Sequence, residues 1–310
     1  MRKTLLTAAS AAILASGLAF GISGAAQAKT IGVALASDTN PFYIAMLKAI
    51  KARAKELGYE VSEVNAQNDI AKQLNGVNDL IAKKVDGILI SPIDAKALCS
   101  AYDKAAAAGI PMMSIARGSA CKSQVLHVSA NEIKVGSDIA KWTAKKLGGK
   151  GKVAVLAGPA GAQAFINFAK GYEDTMKKYP GIKVVFRQTM ILTRENGLKY
   201  GEDALVAHSD LSAIYGANDE IGLGAAQAVA AAGKKKQVVV TGMNGVPPAI
   251  RAVKQGKMDL TVALNPFAWG KLGVNTMDAH LKGKKFDKKV FVGHVLVDSS
   301  NVDKFIRKKK

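Results

Sequence analysis

The sequence predicts an α/β fold of two similar lobes, each a doubly wound parallel sheet. Three observations carry the prediction. Short apolar runs alternate with segments of helical periodicity from residue 31 almost to the C-terminus. The runs are apolar on both faces, as strands covered by helices on both sides are. Eleven such runs are many for one open sheet, and at KLGGKGK (146–152) the pattern breaks at a surface turn and a strand–loop–helix unit starts afresh.

Taken in order, the first run, 31–36, leads through Ser37, Asp38 and Thr39 to Asn40. Asn40 suits a helix N-cap, and Pro41 suits the first helical position, where its missing N–H costs nothing. Leu47, Ile50, Ala54 and Leu57 then recur at three-and-four spacing and give the helix one apolar stripe. Phe42 and Tyr43 stand about 100° apart on that helix, so they cannot both point straight into the stripe and at least one ring faces the loop mouth. Runs at 61–65, 87–91, 111–116 and 125–129 complete a first set. KVAVLAGPAGAQAF then repeats the plan of TIGVALASDTNPFY, and runs at 153–157, 184–188, 213–215, 238–242, 260–264 and 291–297 follow. Leu211, Ala213 and Tyr215 alternate as a strand, which assigns Tyr215 to the core.

The N-terminus reads as an export signal. Arg2 and Lys3 precede a long uncharged stretch rich in Leu, Ala, Ile and Phe, and Ala26-Gln27-Ala28 supplies the small residues read by a signal peptidase. Residues 1–28 are therefore expected to be a cleaved signal peptide, with the mature chain starting at Lys29 and no Cys near the cut to carry a lipid. Loss of Arg2 and Lys3 takes the basic residues from 44 to 42 against 24 acidic ones, a formal charge near +18. The lysines are scattered over helix faces without interleaved aromatics, so a solvated basic surface is expected and a nucleic-acid partner is not. Cys99 and Cys121 are the only cysteines. In an oxidising compartment an isolated pair closing a loop of this size is expected to form a disulfide. With no CxxC spacing and no clustering of His127, His208, His280 and His294, no metal site is expected.

Ligands of open α/β sheets bind beyond the carboxyl ends of the strands, so the loops there supply the site candidates. They are Asn40, Phe42 and Tyr43 after the first strand; Ser91 and Asp94 in ILISPID; Arg117 in MMSIARG; Gln163, Phe165 and Asn167 after VLAGPAG; Asn218, Asp219 and Glu220 in AIYGANDE; Asn244 in VVTGMNG; and Asn265 in TVALNP. Each has a plainer alternative. Asn218 can be simply an N-cap, with Asp219 and Glu220 complementing the helix dipole. Gly158 and Gly161 can be turn glycines, since no phosphate-binding loop pattern accompanies them. There is no G-x-S-x-G, no Cys–His pair and no H-E-x-x-H, so neither catalysis nor a cofactor is expected.

NPFY, GILISPIDAKAL, AGIPMMSIAR, YGANDEIGLGAAQAV and VVVTGMNGVPPAIRAVKQGKMDLTVALNP occur in an order and spacing that resembles the ribose-binding-protein-like family of periplasmic sugar-binding proteins, over essentially residues 30–298. The resemblance implies a type I periplasmic binding protein, its two lobes joined by three hinge crossings near Ala130, Leu264 and Gly293. The N-terminal lobe would hold residues 29–130 and 265–293, and the C-terminal lobe 131–264 and 294–310. It implies a periplasmic monomer that closes on one small molecule, a sugar or polyol, and delivers it to the membrane permease of an ABC transporter. The alternative partner is a chemoreceptor or histidine kinase. By matching positions Asn40, Phe42, Tyr43, Ser91, Arg117, Asn218 and Asn244 look like ligand contacts, with Phe165 beside them. A repressor sharing the fold is set aside, because no helix-turn-helix precedes the first strand.

The departures narrow the ligand. Ala116-Arg117 stands where ribose binders carry Asp-Arg, Asn244 stands where they carry Asp, Ile166 replaces an Arg, and Leu264 replaces a Gln. A buried unpaired Arg117 is costly, so a counter-charge is expected from Asp38, from Asp94 or from a carboxylate on the ligand itself.

Overall fold

The computed structural model describes residues 29–306; the expected signal peptide and the terminal residues 307–310 lie outside the described residues. Twelve strands and nine α-helices alternate along this span, and the strands gather in three groups.

The first group is a six-stranded parallel sheet. Its strands are β1 (Lys29–Ala34), β2 (Tyr59–Glu63), β3 (Gly87–Ile90), β4 (Met112–Ile115), β5 (His127–Ser129) and β11 (Lys289–Phe291), in the order β11-β5-β4-β3-β1-β2. β3 and β4 are buried at every residue, as a strand covered on both faces must be. Helices α1 (Pro41–Glu56), α2 (Ile70–Ala82), α3 (Cys99–Ala107) and α9 (Pro266–Leu281) accompany it.

The second group repeats the plan. β6 (Lys150–Ala157), β7 (Gly181–Thr189), β8 (Leu211–Gly216) and β9 (Val239–Thr241) form a parallel sheet in the order β7-β6-β8-β9, the same second-first-third-fourth arrangement as β2-β1-β3-β4. β10 (Thr261–Ala263) continues it through bridges Thr241–Leu260 and Asn244–Ala263, and β12 (Val295–Val297) pairs with β10 antiparallel. Its helices are α4 (Glu132–Lys146), α5 (Gln163–Met176), α6 (Arg194–Ala207), α7 (Asp219–Ala231) and α8 (Pro247–Lys254).

The chain passes between the sheets three times: after β5, between β10 and α9, and between β11 and β12. The run 291–297 expected as one strand is therefore two. Val292-Gly293-His294 separates a segment hydrogen-bonded to β5 from a segment paired with β10 in the other sheet.

Close helix contacts fix the layers. α4 lies on α5 because Gly136 presents no side chain, and a Cβ there would sit 2.0 Å from the Phe168 carbonyl oxygen. α9 lies on α1 through Gly270, where a Cβ would fall 2.6 Å from the Met46 carbonyl oxygen. The largest core cluster includes β1, α1 and α9 residues together with α5, β6 and β10 residues, so apolar packing is continuous from one sheet's layers to the other's. Cys99 and Cys121 are bonded, Cα–Cα 5.0 Å, and join the start of α3 to the loop after β4. Tyr215 is fully buried against Tyr172, ring centroids 4.4 Å apart.

Candidate functional site

The NPFY corner folds as a helix start. Asn40 Oδ1 accepts from the Phe42 N–H at 3.0 Å and Pro41 takes the first helical position, so the cap and its missing donor agree. Phe42 and Tyr43 then project side by side, edge to face at 5.6 Å, and both line one cavity. The Tyr43 hydroxyl is anchored 3.0 Å from Ser91 Oγ, which places Ser91 behind the ring.

Arg117 enters the same cavity from the loop after β4. Ala116 adopts φ +66°, a left-handed conformation costing an Ala about 1–2 kcal/mol, and the chain turns there so that Arg117 is buried, 3% exposed. Its guanidinium carbon lies 5.7 Å from the Tyr43 ring centroid and 5.2 Å from that of Phe165. Tyr43 belongs to α1 and Phe165 to α5, so one cation is held between rings from both lobes.

From the second sheet's side come Phe165 and Phe168 of α5, Leu192, Met243 and Asn244 after β9, and Leu264 after β10. The Asn244 turn is also left-handed, φ 135°. A network beneath it holds the turn: the Val246 N–H donates to Asp219 Oδ2 at 2.8 Å, the Thr261 hydroxyl to Asp219 Oδ1 at 2.6 Å, and the Gly245 N–H to Thr261 Oγ1 at 3.2 Å. Burial pushes the Asp219 carboxyl up to about 7, and from the first turn of α7, next to the Asn218 cap, its two oxygens brace the turn after β9. The enclosed space is about 30 Å³, and Asn40, Arg117 and Leu192 also line a wider cleft of about 480 Å³ outside it. The lobes also touch where the Ala95 N–H donates to the Gly161 carbonyl at 2.9 Å.

Of the candidates read from sequence, Asn40, Phe42, Tyr43, Arg117, Phe165 and Asn244 line this cavity. Asn218 caps α7, accepting from the Ile221 N–H at 3.0 Å, while its amide nitrogen is buried without a protein partner. Trp269 was not among the candidates. It lines the cavity from α9, edge to face with Phe42 at 5.5 Å, its Nε1 buried and unpartnered. The signal was present: Asn265-Pro266-Phe267 repeats Asn40-Pro41-Phe42, and both asparagines cap helices that pack together. Asp38 and Asp94 form no ion pair with Arg117 among the described residues; Asp94 Oδ1 instead accepts from the Lys96 and Ala97 N–H groups.

A Ser–His–acid arrangement lies elsewhere. Ser114 Oγ is 2.7 Å from His127 Nδ1, and His127 Nε2 is 3.4 Å from Glu132 Oε1. All three are buried outside the cavity, and the Ser114 hydroxyl donates to Gln124. Its proton is directed away from the imidazole, so the arrangement ties β4, β5 and the start of α4 together and activates no nucleophile.

The periplasmic binding protein domain family matches residues 31–285. The ribose import binding protein of Bacillus subtilis is 35% identical over 268 residues, covering 86% of this chain and 87% of that protein; its Haemophilus influenzae counterpart is 36% identical over 285 residues, 92% and 96%. Among solved structures, an ABC transporter solute-binding protein from Mycobacterium smegmatis with bound glycerol superposes with a TM-score of 0.86 at 30% identity, covering 91% of this chain and 98% of that one. One from Actinobacillus succinogenes with bound D-allose gives 0.84 at 28% identity, over 89% and 99%. A family match over most of the chain, relatives above 30% identity and this agreement of folds together show that the chain belongs to the periplasmic binding protein family, with the type I fold.

Proposed function

We propose that this protein is the solute-binding component of an ABC importer, exported by a cleaved signal peptide to the periplasm, and that it encloses a sugar, polyol or related small molecule between its lobes. The N-terminal lobe is residues 29–130 with 265–293, the C-terminal lobe 131–264 with 294–310. The observation that carries the reading is Arg117 held between Tyr43 of one lobe and Phe165 of the other, on the floor of a cleft lined by both. Aromatic faces pack on C–H groups, and a few fixed polar groups select the solute's orientation. Asn40, Phe42, Tyr43, Arg117, Phe165 and Asn244 are the direct contacts, Ser91 holds Tyr43, and Asn218 supplies an amide donor.

Closure follows from geometry. Each lobe carries part of the lining, so a solute held by one lobe gains further contacts only when the other arrives, and its affinity reflects that difference. The closed form is what a permease would read. The test is mass spectrometry of the small molecule that copurifies with the protein, followed by calorimetry with that compound. A sugar, polyol or derivative binding one to one, with a change in Trp269 fluorescence, is expected. Absence of any copurifying solute together with no response to sugars, polyols or their acids would overturn the reading.

A further inference from the structure

We infer that the solute held in this cleft carries an anionic group, a carboxylate on a short hydroxylated chain, and that Arg117 binds it; the inference rests on reading the cleft as the solute site. Arg117 is always charged and buried, yet among the described residues its side chain has neither a hydrogen bond nor an ion pair, and its Nε has no partner. The guanidinium carbon lies over the Tyr43 and Phe165 rings. No protein acceptor meets the guanidinium N–H groups among the described residues, and the Nε of these is buried.

No carboxylate of the protein fills that role. The cavity lining contains neither Asp nor Glu. Asp94 is committed to backbone amides, Glu220 pairs with Arg194 at 3.0 Å, and Asp219 is bonded to Thr261 and Val246. Asp38 lines a separate groove with Lys48 and Lys51.

The other polar atoms of the lining lean the same way. Trp269 Nε1 is an unpartnered donor, and Asn40 has spent its oxygen on the Phe42 N–H, leaving its NH₂. Asn244 is the one lining side chain with no hydrogen bond to its oxygen among the described residues. A hydroxyl must donate as well as accept, so the part of a ligand that enters this inner cavity, if it bore only hydroxyls, would find more donors than acceptors; Ser37, Thr39, Thr193 and Glu220 line only the wider cleft outside. A carboxylate brings acceptors alone, matches the guanidinium fork bidentately and offsets its charge.

Calorimetry on matched pairs decides it: glycerate against glycerol, xylonate against xylitol, ribonate against ribose, at neutral pH. The acid of at least one pair is expected to bind about tenfold tighter or more than its neutral partner. Arg117→Gln should abolish that preference and Arg117→Lys should restore part of it. If Arg117→Gln fails to fold by circular dichroism, the wild-type pairs and Arg117→Lys decide. Neutral members binding as tightly as the acids would overturn the inference while leaving the solute-binding reading intact; binding of none of the compounds would overturn it as well, and the copurified solute then judges that reading separately.

Discussion

Replacing Asp219 by Asn should remove a pH dependence of folding that the buried carboxyl creates. In the folded protein Asp219 is fully enclosed, faces Thr261 and Val246 with Glu220 beside it, and has no cationic partner, so burial raises its pKa to about 7 from an ordinary value of 3.8. An acid with a raised folded pKa holds a proton that the unfolded chain releases. Between about pH 4 and pH 7 the folded state therefore binds one more proton, and stability falls as pH rises, by about 1.4 kcal/mol per unit. Across the whole window the ceiling is about 4 kcal/mol, with no further change above it. The carboxamide of Asp219→Asn is isosteric with the protonated acid; its oxygen accepts from the Val246 N–H, and its NH₂ donates to Thr261 Oγ1 once that hydroxyl, which donates to Asp219 Oδ1 in the structure, turns away. Urea unfolding of both proteins from about pH 4 to pH 8 measures the difference, in which other titrations cancel. The wild type should lose stability relative to Asp219→Asn as pH rises and level off above about 7. A difference that stays constant over this range would refute the assignment of a protonated strut.

Three other substitutions test the frame around the site. Cys99→Ser with Cys121→Ser opens a 22-residue separation, and chain entropy sets the loss at about 3 kcal/mol, read as a lower thermal midpoint that reductant no longer changes. Ala116→Gly should hold or raise stability by up to about 1 kcal/mol by relieving a left-handed Ala, while affinity falls because the residue aiming Arg117 is freer; a destabilised protein with unchanged affinity contradicts this. Gly270→Ala places a Cβ 2.6 Å from the Met46 carbonyl oxygen and must push α9 from α1, at about 1–3 kcal/mol, with a shifted Trp269 emission.

The strand–helix alternation, the restart after residue 146 and the capping of α1 were legible because each is local: periodicity, glycine turns, and an Asn-Pro pair. The break inside 291–297 was not, since an apolar run does not say that its two halves pair in different sheets; only β5 and β10 decide that. Trp269 was missed for a related reason. Its site is made by α9 packing on α1 across more than two hundred residues of sequence, and the repeated Asn-Pro-Phe was the only local trace. The bracing role of Asp219 was not legible either, because it depends on β10 and the turn after β9, which the ANDE motif does not show.

Arg117 links the chemistry of the cleft to its motion. The lobes already share apolar packing and the Ala95–Gly161 hydrogen bond, which favour closure regardless of solute. Opposing them is the removal of the guanidinium from water with no carboxylate to meet it, a penalty of several kcal/mol in proteins. A bound anion cancels much of that penalty only in the closed form, so the charge makes closure conditional on the solute. Arg117→Met retains a long apolar stem between Tyr43 and Phe165 and removes the charge. Small-angle scattering should therefore show the ligand-free variant as compact as the solute-bound wild type, and the ligand-free wild type as more extended. If the ligand-free variant is as extended as the ligand-free wild type, the charge does not hold the lobes apart, and closure must be governed by contacts elsewhere along the hinge.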